Sequence, residues 1–72
     1  MKTYVNVEKH LVGKDGDYTK VNAYVGTDLD AAVDVALTLG REASYIGTYI
    51  QVWENGKQTD LLRADGKHLK AL

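Results

Sequence analysis

The chain contains no cysteine, which removes disulfides, thiol nucleophiles and thiolate metal sites together and agrees with a reducing compartment. It contains no phenylalanine either, while five tyrosines and one tryptophan are present. No run of about 18 apolar residues occurs, and Met1-Lys2-Thr3-Tyr4 opens directly into alternating polar and apolar residues. Neither a transmembrane span nor a signal peptide is therefore expected, and the chain reads as cytoplasmic. No charge sign dominates: nine Lys/Arg stand against ten Asp/Glu, a net charge of −1. The global basic field that drives nucleic-acid affinity is missing, so any such binding needs a local patch. There are no internal repeats, linkers or low-complexity segments. At 72 residues the chain makes one domain, 1–72, in the size range where buried area only narrowly outweighs conformational entropy.

What is present reads as an alternation of strands around one helix. From Lys2 to Val12, Thr3, Val5, Val7 and Leu11 fall on one side, with Lys9 interrupting, and Tyr4, Asn6, Glu8 and His10 on the other. That period of two predicts a strand. "GKDGD" (Gly13 to Asp17) supplies a turn, and a second strand runs from Tyr18 to Val25, with Val21, Ala23 and Val25 opposite Tyr18, Lys20, Asn22 and Tyr24. The period then changes. Leu29, Ala32, Val33, Ala36 and Leu37 form a helical stripe flanked by Val35 and Leu39, with Thr27 as a suitable N-cap and Gly40 near the end. Strand three spans Tyr45 to Glu54, Asn55-Gly56 is a strong hairpin signal, and strand four runs from about Lys57 to Arg63. Asp65-Gly66 repeats the device, so His68 to Leu72 forms either a fifth strand or a frayed tail. The predicted class is α+β: an antiparallel sheet of four to five strands with one helix packed on one face, in the order ββαββ(β).

One helix covers one face of a sheet, so the other face needs an explanation. If the helix covers the aliphatic positions Val5, Val7, Leu11, Val21, Ala23, Val25, Ile46, Ile50 and Val52, the opposite face collects Tyr4, Tyr18, Tyr24, Tyr45, Tyr49 and Trp53. Tyr and Trp combine an apolar body with a polar edge and suit a surface that is wet when free and buried when bound. Cross-strand aromatic pairs also stabilise solvated sheet faces, and a bulge in a strand would move one or two rings into the core. The candidate partner-binding residues are Tyr4, Tyr18, Lys20, Tyr24, Tyr49 and Trp53, joined by Lys57 and Arg63 from a basic rim that includes Lys67 and Lys70. Asp15, Asp17, Asp60 and Asp65 dilute that field.

No catalytic constellation is legible. His10 and His68 lie on separate elements without the carboxylate spacing of a triad or a metal site, and read as solvated edge residues. Asp15-Gly16-Asp17 lacks the further acceptors of a calcium loop, and no glycine cluster precedes a phosphate-binding lysine. No enzyme, cofactor or metal is expected.

The whole-chain pattern, "MKTYVNVEKHLV", a polar turn, a strand leading to "DAAVDVA", then "GTYIQVWENGK" and "ADGKHLKAL", resembles small phage and mobile-element proteins built ββαβββ, among them certain anti-CRISPR inhibitors of type I systems. The resemblance lies in element order and size and transfers no site residues. It implies a noncatalytic protein that docks on an RNA-guided surveillance complex of a bacterial host and blocks target DNA or the helper nuclease. The functional expectation is thus a macromolecule-binding inhibitor acting by occlusion on a bacterial protein or ribonucleoprotein. Two alternatives share the aromatic face: a small nucleic-acid-binding module, and a sheet-to-sheet homodimer.

Overall fold

A computed structural model describes residues 1–13, 15–39 and 45–71. The strands are β1 (Lys2–Leu11), β2 (Tyr18–Gly26), β3 (Tyr45–Glu54), β4 (Lys57–Leu62) and β5 (His68–Ala71), with one helix, α1 (Leu29–Leu39), between β2 and β3. They form a single antiparallel sheet in the order β2-β1-β3-β4-β5. The α+β class follows directly, and β5 is a paired strand. Asn55 and Gly56 take φ of 52° and 78°, the doubly positive geometry of a type I′ turn. β4 stops one residue before the predicted Arg63 because the Arg63 amide donates to the Lys67 carbonyl at 2.8 Å, closing the β4–β5 turn. The predicted helix end at Gly40 lies outside the described residues.

The helix begins at a different cap from the predicted Thr27. Asp28 Oδ1 accepts from the Asp30 and Ala31 amides at 3.0 and 3.3 Å, satisfying donors that the helix cannot satisfy internally. Tyr24 adds a tertiary tie, its hydroxyl accepting from the Asp28 amide at 3.2 Å. Ala32 and Ala36 are buried, with Leu29 and Val33 half-buried beside them and Val35 a half-buried flank. Leu37, predicted on the stripe, is 58% exposed. It sits about 80° around the helix from Leu29, and the backbone of α1 lies close to β1, β2 and β3 but not to β4 or β5. The stripe therefore ends before reaching it.

The helix-side core gathers Ala32, Ile50, Val52 and Leu62, with Tyr4, Tyr24, Leu29 and Val33 packed against it. Asn6 also points to this side. It has no exposed surface, its amide donates to the Ala32 carbonyl at 3.0 Å, and its carbonyl accepts from the Thr48 hydroxyl at 2.6 Å. With Asn6 facing the helix, alternation turns Tyr4, Glu8 and His10 inward and Thr3, Val5, Val7, Lys9 and Leu11 outward. The pairs Tyr4↔Val52, Asn6↔Ile50 and Glu8↔Thr48 have the same consequence. This reverses the predicted facing of β1.

Candidate functional site

The face away from the helix is built from three strands in a fixed register. On β1 and β3 the outward pairs are Thr3↔Trp53, Val5↔Gln51 and Val7↔Tyr49. On β2, Val25 opposes Val5, but the register shifts between Asn6 and Val7, leaving Ala23 as the extra residue. Beyond this bulge Asn22 opposes Val7, Lys20 opposes Lys9 and Tyr18 opposes Leu11. Leu61 and Gln58 of β4 extend the face, opposite Gln51 and Trp53. Val25, Tyr18 and Leu11 are exposed at 62%, 52% and 44%. Val7 is buried despite facing outward, since β1 runs between β2 and β3 and Tyr49 stands opposite.

At one end of the face, aromatic rings and ammonium groups interleave. Lys9 Nζ lies 5.5 Å from the centroids of both Tyr18 and Tyr49, and Lys20 Nζ lies 5.9 Å from that of Tyr49. These distances are within cation–π range. Toward the other end Trp53 donates its indole N–H to Gln51 Oε1 at 3.1 Å. That bond crosses two residues on one strand and orients the ring along the face.

The predicted site residues therefore divide. Tyr18, Lys20, Tyr49 and Trp53 share the open face as expected. Tyr4 and Tyr24 do not: both pack on the helix-side core. Tyr4 follows the β1 phase imposed by Asn6, and Tyr24 is turned inward at the β2 bulge, where Gly26 makes room for it. A Cβ at Gly26 would meet the Tyr24 ring, with Cζ at 2.7 Å. The expected helix-side placement of Val5, Val7, Leu11 and Val25 is corrected for the same two reasons. The side chains of Tyr45 and Ile46 lie outside those described. Lys57 opposes Glu54 beside the turn and so is off the aromatic face. Arg63 lies beyond β4 and pairs with Asp65 at 3.3 Å, while Lys70 takes the register position opposite Leu61.

Lys9 was absent from the expected set, yet it is the cation that lies between the two tyrosines. The signal existed in the stripe Thr3, Val5, Val7, Lys9, Leu11. A lysine within that stripe would have had to enter the core, whereas Asn6 can be buried if fully hydrogen-bonded.

The helix side carries the titratable pairs. Glu8 is buried and its Oε2 meets His10 Nε2 at 3.1 Å; the His10 side chain is only 12% exposed, contrary to a solvated edge position. His68 Nδ1 pairs with Asp60 Oδ1 at 3.1 Å near the surface. Where α1 leaves β4 and β5 uncovered, a pocket of about 350 Å³ opens, lined by Tyr4, Leu29, Val52, Leu62, Glu54 and Asp60 among others. Among the described residues no group of three or more His, Asp or Glu side chains is placed to hold a metal ion, and no helix is long and apolar enough to cross a membrane. No family model, curated protein or solved structure matches this chain.

Proposed function

We propose that this is a noncatalytic macromolecule-binding protein that docks through its open sheet face, and more sharply a phage-encoded inhibitor of a bacterial CRISPR surveillance complex that acts by occlusion in the host cytoplasm. The observation that supports docking is the open face itself. It groups Trp53, Tyr49 and Tyr18 with the aliphatics of β1, and no element of the described chain lies over it. Contiguous apolar surface rimmed by polar groups marks association sites, and interface energy concentrates in aromatic anchors of this kind. The inward turn of Tyr4 and Tyr24 leaves fewer rings outside than expected, but Val5 and Val25 replace them with further apolar area. The inhibitor reading is supported by the ββαβββ order and the small size of the chain.

The test is expression in bacteria that carry an active type I system, challenged by a targeted phage, with affinity recovery of the tagged protein from the same cells before and after nuclease treatment. Restored phage plating, together with stoichiometric recovery of a surveillance-complex subunit, is the expected result. Folded Trp53→Ala and Tyr49→Ala variants lose both. Targeted phages that remain blocked, with no subunit recovered, would refute the inhibitor.

A further inference from the structure

We infer that the partner presents a single-stranded nucleic acid to the open face, with Tyr18 and Tyr49 stacking on bases while Lys9 and Lys20 meet the phosphates; this rests on the reading of that face as the binding surface. The observation behind it is a sorting of charge that the near-neutral composition conceals. The five strands carry three carboxylates, Glu8, Glu54 and Asp60, and all three are on the helix side. Glu8 alternates with Asn6 and opposes Thr48, and Glu54 and Asp60 line the helix-side pocket. Asp65, a second diluting charge, is in the β4–β5 turn and engages Arg63. Asp15 and Asp17 sit in the β1–β2 loop. The open face is left with Lys9 and Lys20, directly opposed across β1 and β2, with Lys70 of β5 at the register position opposite Leu61, and with no carboxylate on its strands. A chain of net charge −1 thus presents one cationic face.

The class of anion follows from the rings. An acidic protein surface would satisfy the two ammonium groups but offer nothing planar to Tyr18, Tyr49 and Trp53. A single strand supplies both parts, since every base has a π-face and every residue a phosphate, and aromatic platforms beside basic groups are the recurring solution for such ligands. A duplex hides its base faces and is read by an element inserted into a groove, which a flat sheet face does not provide. Lysine stems are flexible, so the ammonium groups now lying over the rings can move to phosphates as bases take their place.

Trp53 is the only tryptophan and reports on this face directly. The experiment titrates the full chain with single-stranded RNA and DNA homopolymers of about 12 nucleotides, within the usual site size, following Trp53 fluorescence and oligonucleotide anisotropy. A duplex of equal length and polyglutamate serve as competing probes. Binding is expected for the single strands, with a log–log salt slope of about −1.4 from two phosphate contacts at about 0.7 each. Lys9→Ala/Lys20→Ala is expected to flatten that slope, and Tyr49→Leu to weaken binding about tenfold, each with an unchanged circular dichroism spectrum. No binding at low salt, equal binding of polyglutamate, or full affinity in the lysine variant would each overturn the inference. If oligonucleotides do not bind but Trp53→Ala still abolishes phage protection, the face stands as an interface and only the chemistry of its partner is refuted. If both fail, the face is not the interface.

Discussion

On the helix side of the sheet, Ile50 and Asn6 have no exposed surface, whereas on the open side of the same strands Tyr18 and Val25 are 52% and 62% exposed. The inward face is made of aliphatics, of Tyr4 and Tyr24, and of polar groups that are held by specific partners. The outward face is made of rings, valines and lysines whose principal contacts run along the surface. A polar side chain with two good hydrogen bonds is buried more readily here than a valine without a matching hollow, and β1 is oriented by Asn6 rather than by its three aliphatic residues, Val5, Val7 and Leu11. The two faces should therefore respond differently to substitution: the inner one in stability, the outer one in binding.

The largest effect is expected at Ile50→Ala, which opens a cavity in the core cluster and costs about 4 kcal/mol, read as a fall in the urea midpoint. In so small a domain that is a large share of the total stability. Next is Asn6→Ala. It removes the side-chain donor to the Ala32 carbonyl and one partner of Thr48, leaves a void in the core and costs about 3 kcal/mol by the same measurement. A loss below about 1 kcal/mol would mean that Asn6 does not set the facing of β1 and would break the comparison at its root. Trp53→Ala is expected to leave the urea midpoint nearly unchanged while weakening partner binding by about 2 kcal/mol; the reverse pattern would make the open face a structural one. Asp28→Ala, at the helix cap, should cost about 1 kcal/mol of stability and leave binding intact. The smallest effect is expected at Leu37→Ser, within about 0.5 kcal/mol on either readout, because that side chain lies outside the helix–sheet contact.

Much of the architecture was legible because it depends on local chemistry. The type I′ turn needs only the Asn55-Gly56 dipeptide, and α1 needs only the spacing of Leu29, Ala32, Val33 and Ala36. The faces were not legible in the same way. Alternation groups the residues of a strand into two sets, but which set is inward depends on what each meets across the sheet. For β1 the deciding contacts are Asn6 with Ala32 and Thr48, 26 and 42 residues away in sequence. For β2 the bulge at Ala23 changes the phase partway, so Tyr18 and Lys20 face outward while Tyr24 turns inward to meet the Asp28 amide.

Local chemistry was enough to specify β1 to β4, α1, their order, the antiparallel hairpins and the presence of more aromatic and aliphatic surface than one helix can cover, because turns and periodicity act over a few residues; the same local signals leave open whether the last residues pair as β5. The strand order, the pairing of β5, the inward face of β1, the company of Lys9 with Tyr18 and Tyr49, and the separation of Lys9 and Lys20 from the strand carboxylates were set by the assembled sheet. Those depend on pairing between distant segments, where one hydrogen-bonded asparagine or one extra residue in a strand reverses every side chain that follows.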